Sequence, residues 1–317
     1  MKRNLNRGSS TLEGLMLLLV LGFIIMAFII PSRAPKSLVG TNSNSNGSSA
    51  SNSSNNSYYN TDLNRNSPLA KSISLGSGNA SRAYQTYEEY VTIDNRSNQP
   101  VNITGWILSN AKDERVYELG GGLKHFSADT TEIPRATLIL SPTGNNIFQS
   151  VVLGKGESAI ITTGTIGVQT PYKIVSFKEN ICTGYLGDMS EYTFTPSLTR
   201  NCPRPSNEAG TSSLDTACRD FIGRMQSCNV PTFDRQDKKG EDCSTCVNGI
   251  RLSSSCVAFI RAHYSYAGCV ANHTSDQNFS GRTWRIFLGQ GWEMWANDHD
   301  VIKLFDQAGK LVDFKSY

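Results

Sequence analysis

Charge is scarce in this sequence, and so is charge asymmetry: 18% of its 317 residues are charged, with 30 basic against 27 acidic and no basic block. A dedicated nucleic-acid binder concentrates Lys and Arg on one face, so composition points away from nucleic acid as a partner. Histidine is nearly absent, with only His125, His263, His273 and His299, and none has the paired spacing of a zinc protease. No Gly-x-Ser-x-Gly elbow, phosphate loop or dinucleotide fingerprint occurs, and Gly154-Lys155-Gly156 lacks the upstream glycines that cradle a phosphate. His299, between Asp298 and Asp300, reads as a turn histidine. The expectation is a non-catalytic protein with no cofactor and no metal. A hydrolase built from polar groups without a motif stays as a minor alternative, which histidines gathered beside carboxylates in a pocket would strengthen. Cysteine is missing before Cys182, and long apolar runs are missing after residue 30, which excludes a polytopic membrane protein.

The one long apolar run is Gly14–Ile30, uncharged throughout and near the lower length limit for a helix that spans a bilayer. Lys2, Arg3 and Arg7 precede it, which orients the N-terminus to the cytoplasm by the positive-inside rule. Residues 1–13 then form a cytoplasmic stub or leader and 14–31 a transmembrane helix. Residues 32–71, dominated by Ser and Asn, bury too little to offset backbone entropy and form a disordered tether. A coil of that length holds the folded part of the chain roughly 30 Å from the membrane.

The same N-terminus carries a second pattern: a short basic peptide ending at Gly8, then Ser9, then Glu13 five residues into the remaining chain. This resembles the leader of type IV pilins, which implies processing after Gly8 and assembly through an apolar helix whose Glu13 carboxylate pairs with a neighbouring amine. An ordinary signal anchor, with Glu13 marking the membrane edge, is the plainer reading.

Beyond Leu69 short alternating runs take over. Val91 and Ile93 share one face of a strand in Glu89–Asp94, Asn95–Pro100 supplies a turn, and Val101–Leu108 carries Trp106. Further strands are expected at 115–119, 136–140, 158–162 and 284–288. A closing hairpin pairs 301–305 with 311–317, and it places Ile302, Leu304, Val312 and Phe314 inward and Lys303, Asp313 and Lys315 outward. Three stretches, Glu89–Ile93 through Gly105-Trp106, Gly156–Ile161, and Asp300–Asp306 followed by Gly309–Asp313, together resemble the lamin tail domain. The resemblance implies an immunoglobulin-like antiparallel β-sandwich over 72–164 and 283–317, serving as a surface interaction module, and it brings no catalytic residue.

Residues 165–282 do not fit that pattern and contain all eight cysteines: Cys182, Cys202, Cys218, Cys228, Cys243, Cys246, Cys256 and Cys269. An even number in a compact window reads as a disulfide framework whose pairing spacing does not reveal. Two short helices are expected, after Ser213 or Asp215 and after Ser253 or Ser254. Cys243-x-x-Cys246 with His263 or His273 is the zinc alternative, and Asp234–Asp242 has the composition of a calcium loop but carries two lysines. Trp284, Trp292 and Trp295, with Phe287, form the densest aromatic cluster, either core or an exposed patch that grips a glycan or protein.

The sequence therefore predicts a mainly β protein: a lamin-tail-like sandwich interrupted by a disulfide-rich, partly helical insertion, behind an N-terminal transmembrane helix. It is expected at the cell membrane, single-pass, with its folded part outside the cytoplasm, as a display module for an unidentified protein or glycan partner. A minor type IV pilin-like subunit is the alternative.

Overall fold

The computed structural model describes residues 66–111, 130–141, 144–167 and 171–317, and the backbone of 116–119 and 122–125. They belong to one compact unit, Asn60–Tyr317. The stub, membrane helix, most of the tether, and Gly8, Ser9 and Glu13 lie outside the described residues. Among the described residues no helix is long and apolar enough to cross a membrane.

The chain is mainly β, with few short helices and four disulfides. Its largest sheet has seven strands in the order β1 (Ile73–Gly76), β2 (Tyr90–Asn95), β11 (Ser158–Thr162), β16 (Ser280–Phe287), β12 (Phe177–Asn180), β8 (Ala136–Thr137) and β9 (Phe148–Gln149). A second sheet runs β18 (Leu311–Ser316), β17 (Val301–Phe305), β4 (Ile107–Ser109), β7 (Thr130–Glu132). Smaller pairings join β3 (Val101–Asn102) to β10 (Val152–Leu153), and β5 (Val116–Leu119) to β6 (Gly122–His125). A three-stranded sheet joins β13 (Phe233–Gln236), β14 (Asp242–Val247) and β15 (Ile250–Arg251). The helices are α1 (Gly184–Asp188), α2 (Thr216–Gly223), α3 (Ser254–His263) and α4 (Tyr266–His273).

The two large sheets enclose one apolar core, the arrangement of a β-sandwich. Val91, Ile93, Ala159, Ile161, Trp284 and Ile286 face it from the first sheet; Leu108, Ile302, Leu304 and Val312 close it from the second. Alternation along β2 and β11 produces this, since every second side chain turns inward. Trp106 also fills it, although it lies between two strands and not within the single strand that the run Val101–Leu108 suggests. Gly105, at φ 75°, breaks that run into β3 and β4. The left-handed turn is open to glycine without penalty, and its N–H donates to the Ile133 carbonyl at 2.9 Å.

Four expectations need correction. The seven-stranded sheet is mixed, because β11–β16 and β12–β8 are parallel. Two strands can run the same way only across a long crossover, and the chain between β11 and β16 supplies one. The large sheet is not confined to 72–164 and 283–317: β12 lies within the insertion 165–282 and pairs with β16, which starts at Ser280. Order begins before residue 72, because Ser67 donates its N–H to the Leu311 carbonyl at 2.8 Å and Leu69 packs on the core. Last, Phe314 points outward, 38% exposed. A register shift after Leu304/Asp313 adds one residue to β18, so Phe314 stands opposite outward Lys303 while Asp313 stands opposite buried Leu304. Asp313 accordingly accepts the Leu75 N–H at 2.8 Å.

A second core lies across the far side of β16 and β12. It gathers Phe177, Tyr185, Leu186, Ile222, Ile260 and Tyr266 with six cysteines. All eight cysteines are paired: Cys182–Cys269, Cys202–Cys228, Cys218–Cys256 and Cys243–Cys246. The first bridge spans a sequence separation of 87 and ties the end of the sheet to α4. The third joins α2 to α3.

Candidate functional site

A cleft opens in the cysteine-bonded half between α2 and the hairpin of β14 and β15. α2 begins at Asp215, whose carboxylate accepts the Cys218 N–H at 2.9 Å and whose second oxygen accepts from Ser253 Oγ, itself the cap of α3. Those hydrogen bonds hold the Asp215 carboxyl below its ordinary range. Both helix starts are thus linked, and Cys218–Cys256 fixes the helices to each other. Phe221 and Ile222 turn inward from α2.

The opposite wall is set by Asn248 and Gly249, at φ 51° and 70°. This is the two-residue turn that matches the twist of paired strands, and Asn-Gly is its preferred sequence. Asn248 Oδ1 accepts the Thr232 N–H at 2.8 Å, and the Asp234 carboxylate accepts the Gly249 N–H. Asp237 accepts the N–H groups of Glu241 and Lys239 and pairs with Arg251 at 3.4 Å, contacts that pull its carboxyl below the usual range. Within the acidic stretch Asp234–Asp242, Asp234 and Asp237 therefore spend their carboxylates on holding a hairpin.

The cleft has a volume of about 540 Å³, within the range that small ligands or a few peptide residues fill. Buried Phe221 and Leu252 form its floor, with Met225 and Ile250 beside them. Arg224 and Lys238 line it from opposite walls, with Asn229 and Asn248 between charge and floor in polarity. Both cations are exposed, and among the described residues neither side chain has an ion-pair or hydrogen-bond partner. Arg251 is already engaged by Asp237 and by the Asp242 carbonyl at 3.1 Å. Among the described residues Asp220 is the one acidic side chain lining the cleft. Sequence reasoning missed these residues; the Asn-Gly turn was the signal that a hairpin faces α2.

The aromatic cluster does not form a binding patch. Trp284 and Trp295 are each 2% exposed and belong to the sandwich core, while Trp292 is 62% exposed. Trp284 sits on a central strand opposite Ala159 and donates Nε1–H to the Val152 carbonyl. Trp295 is drawn in by Glu89, a buried carboxylate at the start of β2. Glu89 accepts the N–H groups of Met294 at 2.8 Å and Trp295 at 3.2 Å and the hydroxyl of Thr163 at 2.6 Å. Burial raises the Glu89 carboxyl, and those three donors partly offset it.

The histidines are dispersed. His263 stacks on Phe259 with ring centroids 3.9 Å apart, and His299 is exposed at φ 54° in a turn. The side chain of His125 lies outside the described residues. His273 does stand beside carboxylates: Nε2 meets Glu208 at 2.9 Å and Nδ1 meets Asp276 at 2.8 Å. Burial alone would lower its pKa, but hydrogen bonds to Asp276 and Glu208 outweigh it and raise the group. With its two ring nitrogens turned to Glu208 and Asp276, the imidazole forms a latch between α4 and the turn at Pro205–Asn207. Among the described residues no group of His, Cys, Asp and Glu is placed to hold a metal ion. Cys243 and Cys246 are bonded to each other within β14 and offer no thiolate pair. The chain matches no protein-family model and none of the curated proteins.

Proposed function

We propose that the chain is a membrane-anchored display module that works without catalysis outside the cytoplasm. Residues 14–31 hold it in the membrane, 32–65 act as tether, a lamin-tail-like sandwich is the scaffold, and the cysteine-bonded half presents the contact surface. The observation that carries this reading is the pairing of all eight cysteines. Such a framework persists in an oxidising compartment and is rare in a reducing one. The cleft between α2 and the hairpin supports the location of the contact surface, because disulfides fix its walls before a partner arrives.

The intact mass of the full-length protein, taken from its own membrane with thiols alkylated and no reductant, tests the reading. An unalkylated, uncleaved chain is the expected result. Eight alkylated cysteines would overturn the topology. Loss of residues 1–8 would move the assignment to a pilin-like subunit assembling through the apolar helix and Glu13.

A further inference from the structure

The cleft has a composition that selects among partners. Its floor is apolar and mostly aliphatic: Leu252, Ile250 and Met225 surround Phe221, which is only 8% exposed and so offers no open ring face. An open aromatic face, on which a sugar ring could stack, is therefore not offered by this floor. Among the described residues two cations without partners, Arg224 and Lys238, border this floor, against the single carboxylate of Asp220. Arg224 caps the C-terminal end of α2, a helix that Cys218–Cys256 anchors at its first turn, and Lys238 lies in the β13–β14 turn with its stem packed over Gly249. The two charges thus stand on walls that are each fixed by covalent or hydrogen-bonded links. Flexible Met225 lets the floor accept aliphatic side chains of different shape.

We propose that this cleft docks an acidic peptide segment bearing aliphatic side chains, displayed by a partner protein. Carboxylates of the segment pair with Arg224 and Lys238, its aliphatic side chains cover the floor, and the Asn248 amide N–H, whose Oδ1 alone is engaged by Thr232, donates to its backbone. The proposal gives the display reading a ligand class and relies on that reading only for the compartment.

The test uses the full chain, oxidised and in detergent, and a fluorescent peptide of about eight alternating Glu and Leu residues, long enough in extended form to cross such a cleft. Two relatives, Lys for Glu and Ser for Leu, complete the set. The Glu-Leu peptide binds and weakens with added salt, and the double variant Arg224→Glu with Lys238→Glu loses at least about tenfold in affinity. Both side chains are exposed and unpartnered, so the variant retains its fold, which hydrogen exchange verifies. Equal binding of the Ser-Glu peptide, equal binding of the Lys-Leu peptide, or unchanged affinity in the double variant would each overturn the proposal. Binding of polygalacturonate in place of the Glu-Leu peptide would also overturn it, making the cleft an acidic-glycan site. If the cysteines proved reduced in the native membrane, the display reading would fail by itself, and peptide binding by the oxidised chain would still be scored separately.

Discussion

The two cores of this protein are built from different materials. The sandwich core is Ile, Leu, Val, Ala and Trp with one Met and contains no cysteine, whereas the second core holds six cysteines and five tyrosines among its buried residues. Paired sheets bury long apolar rows without help, because alternation delivers a side chain to the interior at every second residue. Four helices of five to ten residues do not, and here covalent links and anchored hydroxyls take over. Tyr264 Oη donates to the Pro205 carbonyl at 2.9 Å and Tyr192 Oη to the Tyr172 carbonyl at 2.9 Å, so each ring fixes a loop as it fills space. Burial pushes the Tyr264 hydroxyl well above its ordinary range, with Glu208 adding to the effect. The two cores meet at β16, whose Trp284 and Ile286 face one and whose Phe287 packs on the other.

The most severe way to break this contrast is full reduction. Each bridge contributes about 2 to 4 kcal/mol, so losing four exceeds what helices of this length recover from packing. Amides of α2, α3 and α4 should then exchange with solvent as in an unfolded chain, while those of β2 and β11 keep their protection. Hydrogen exchange with and without reductant reads this directly. If β2 lost protection together with α3, the cores would be one cooperative unit and the contrast one of composition alone.

On the sandwich side the counterpart is Trp284→Ala, expected to cost about 3 to 5 kcal/mol in denaturant unfolding as a buried Trp cavity does. Trp292→Ala, eight residues on but 62% exposed, should remain within about 0.5 kcal/mol of wild type. A large effect at Trp292 would restore an aromatic surface to consideration.

That pair of tryptophans also shows how much of the fold was legible in the sequence. The strands Glu89–Asp94 and Ser158–Thr162, the closing hairpin and, to within two candidates each, the caps Asp215 and Ser253 could be read from alternation and capping chemistry, because those depend on neighbours a few residues apart. Proximity of three tryptophans in sequence, by contrast, says nothing about which one a distant carboxylate such as Glu89 will draw inward. The bulge that turns Phe314 outward depends on one residue of register against β17, and the parallel pairing of β11 with β16 depends on where a long crossover returns. The candidate cleft was the least legible part, since Arg224 and Lys238 meet only through folding of two segments joined by Cys218–Cys256 and an Asn-Gly turn.

The disulfide-bonded core can be strained without touching a cysteine. At Gly184, in α1, an added Cβ would lie 2.2 Å from Cys228 Sγ and 2.9 Å from Cys202 Sγ. Neither sulfur can move aside freely, as the two are bonded to each other. Gly184→Ala should therefore destabilise by about 1 to 3 kcal/mol, the range for overpacking a filled core, with exchange rising first around α1 and the Cys228 loop. An Ala at this position with unchanged stability would show that the bridge has room to yield.

The smallest expected effect separates the cores by pH. His273 is raised above its ordinary 6.5, Asp276 and Glu208 overcoming the opposing effect of burial. The folded state then binds the proton more tightly than the unfolded chain, so the stabilisation from the Glu208–His273–Asp276 latch is fully present below about pH 6.5 and is lost as pH rises through the folded value. Glu89 is raised as well, by burial, from an ordinary 4.5, so its stabilising protonated form is present below about pH 4.5 and lost as pH rises through its own folded value. The windows therefore open at different points, acidic for the sandwich and nearer neutral for the cysteine-bonded core. Comparing wild type with His273→Asn in thermal melts from about pH 5.5 to 9 should give wild type an advantage of order 1 kcal/mol at the acidic end, shrinking toward the alkaline end. The change in hydrogen exchange should fall on α4 and the turn at Pro205–Asn207, with β2 unaffected. A difference between the two proteins that stayed constant across the range would mean that His273 holds its partners without its charge, and the latch would then be packing alone.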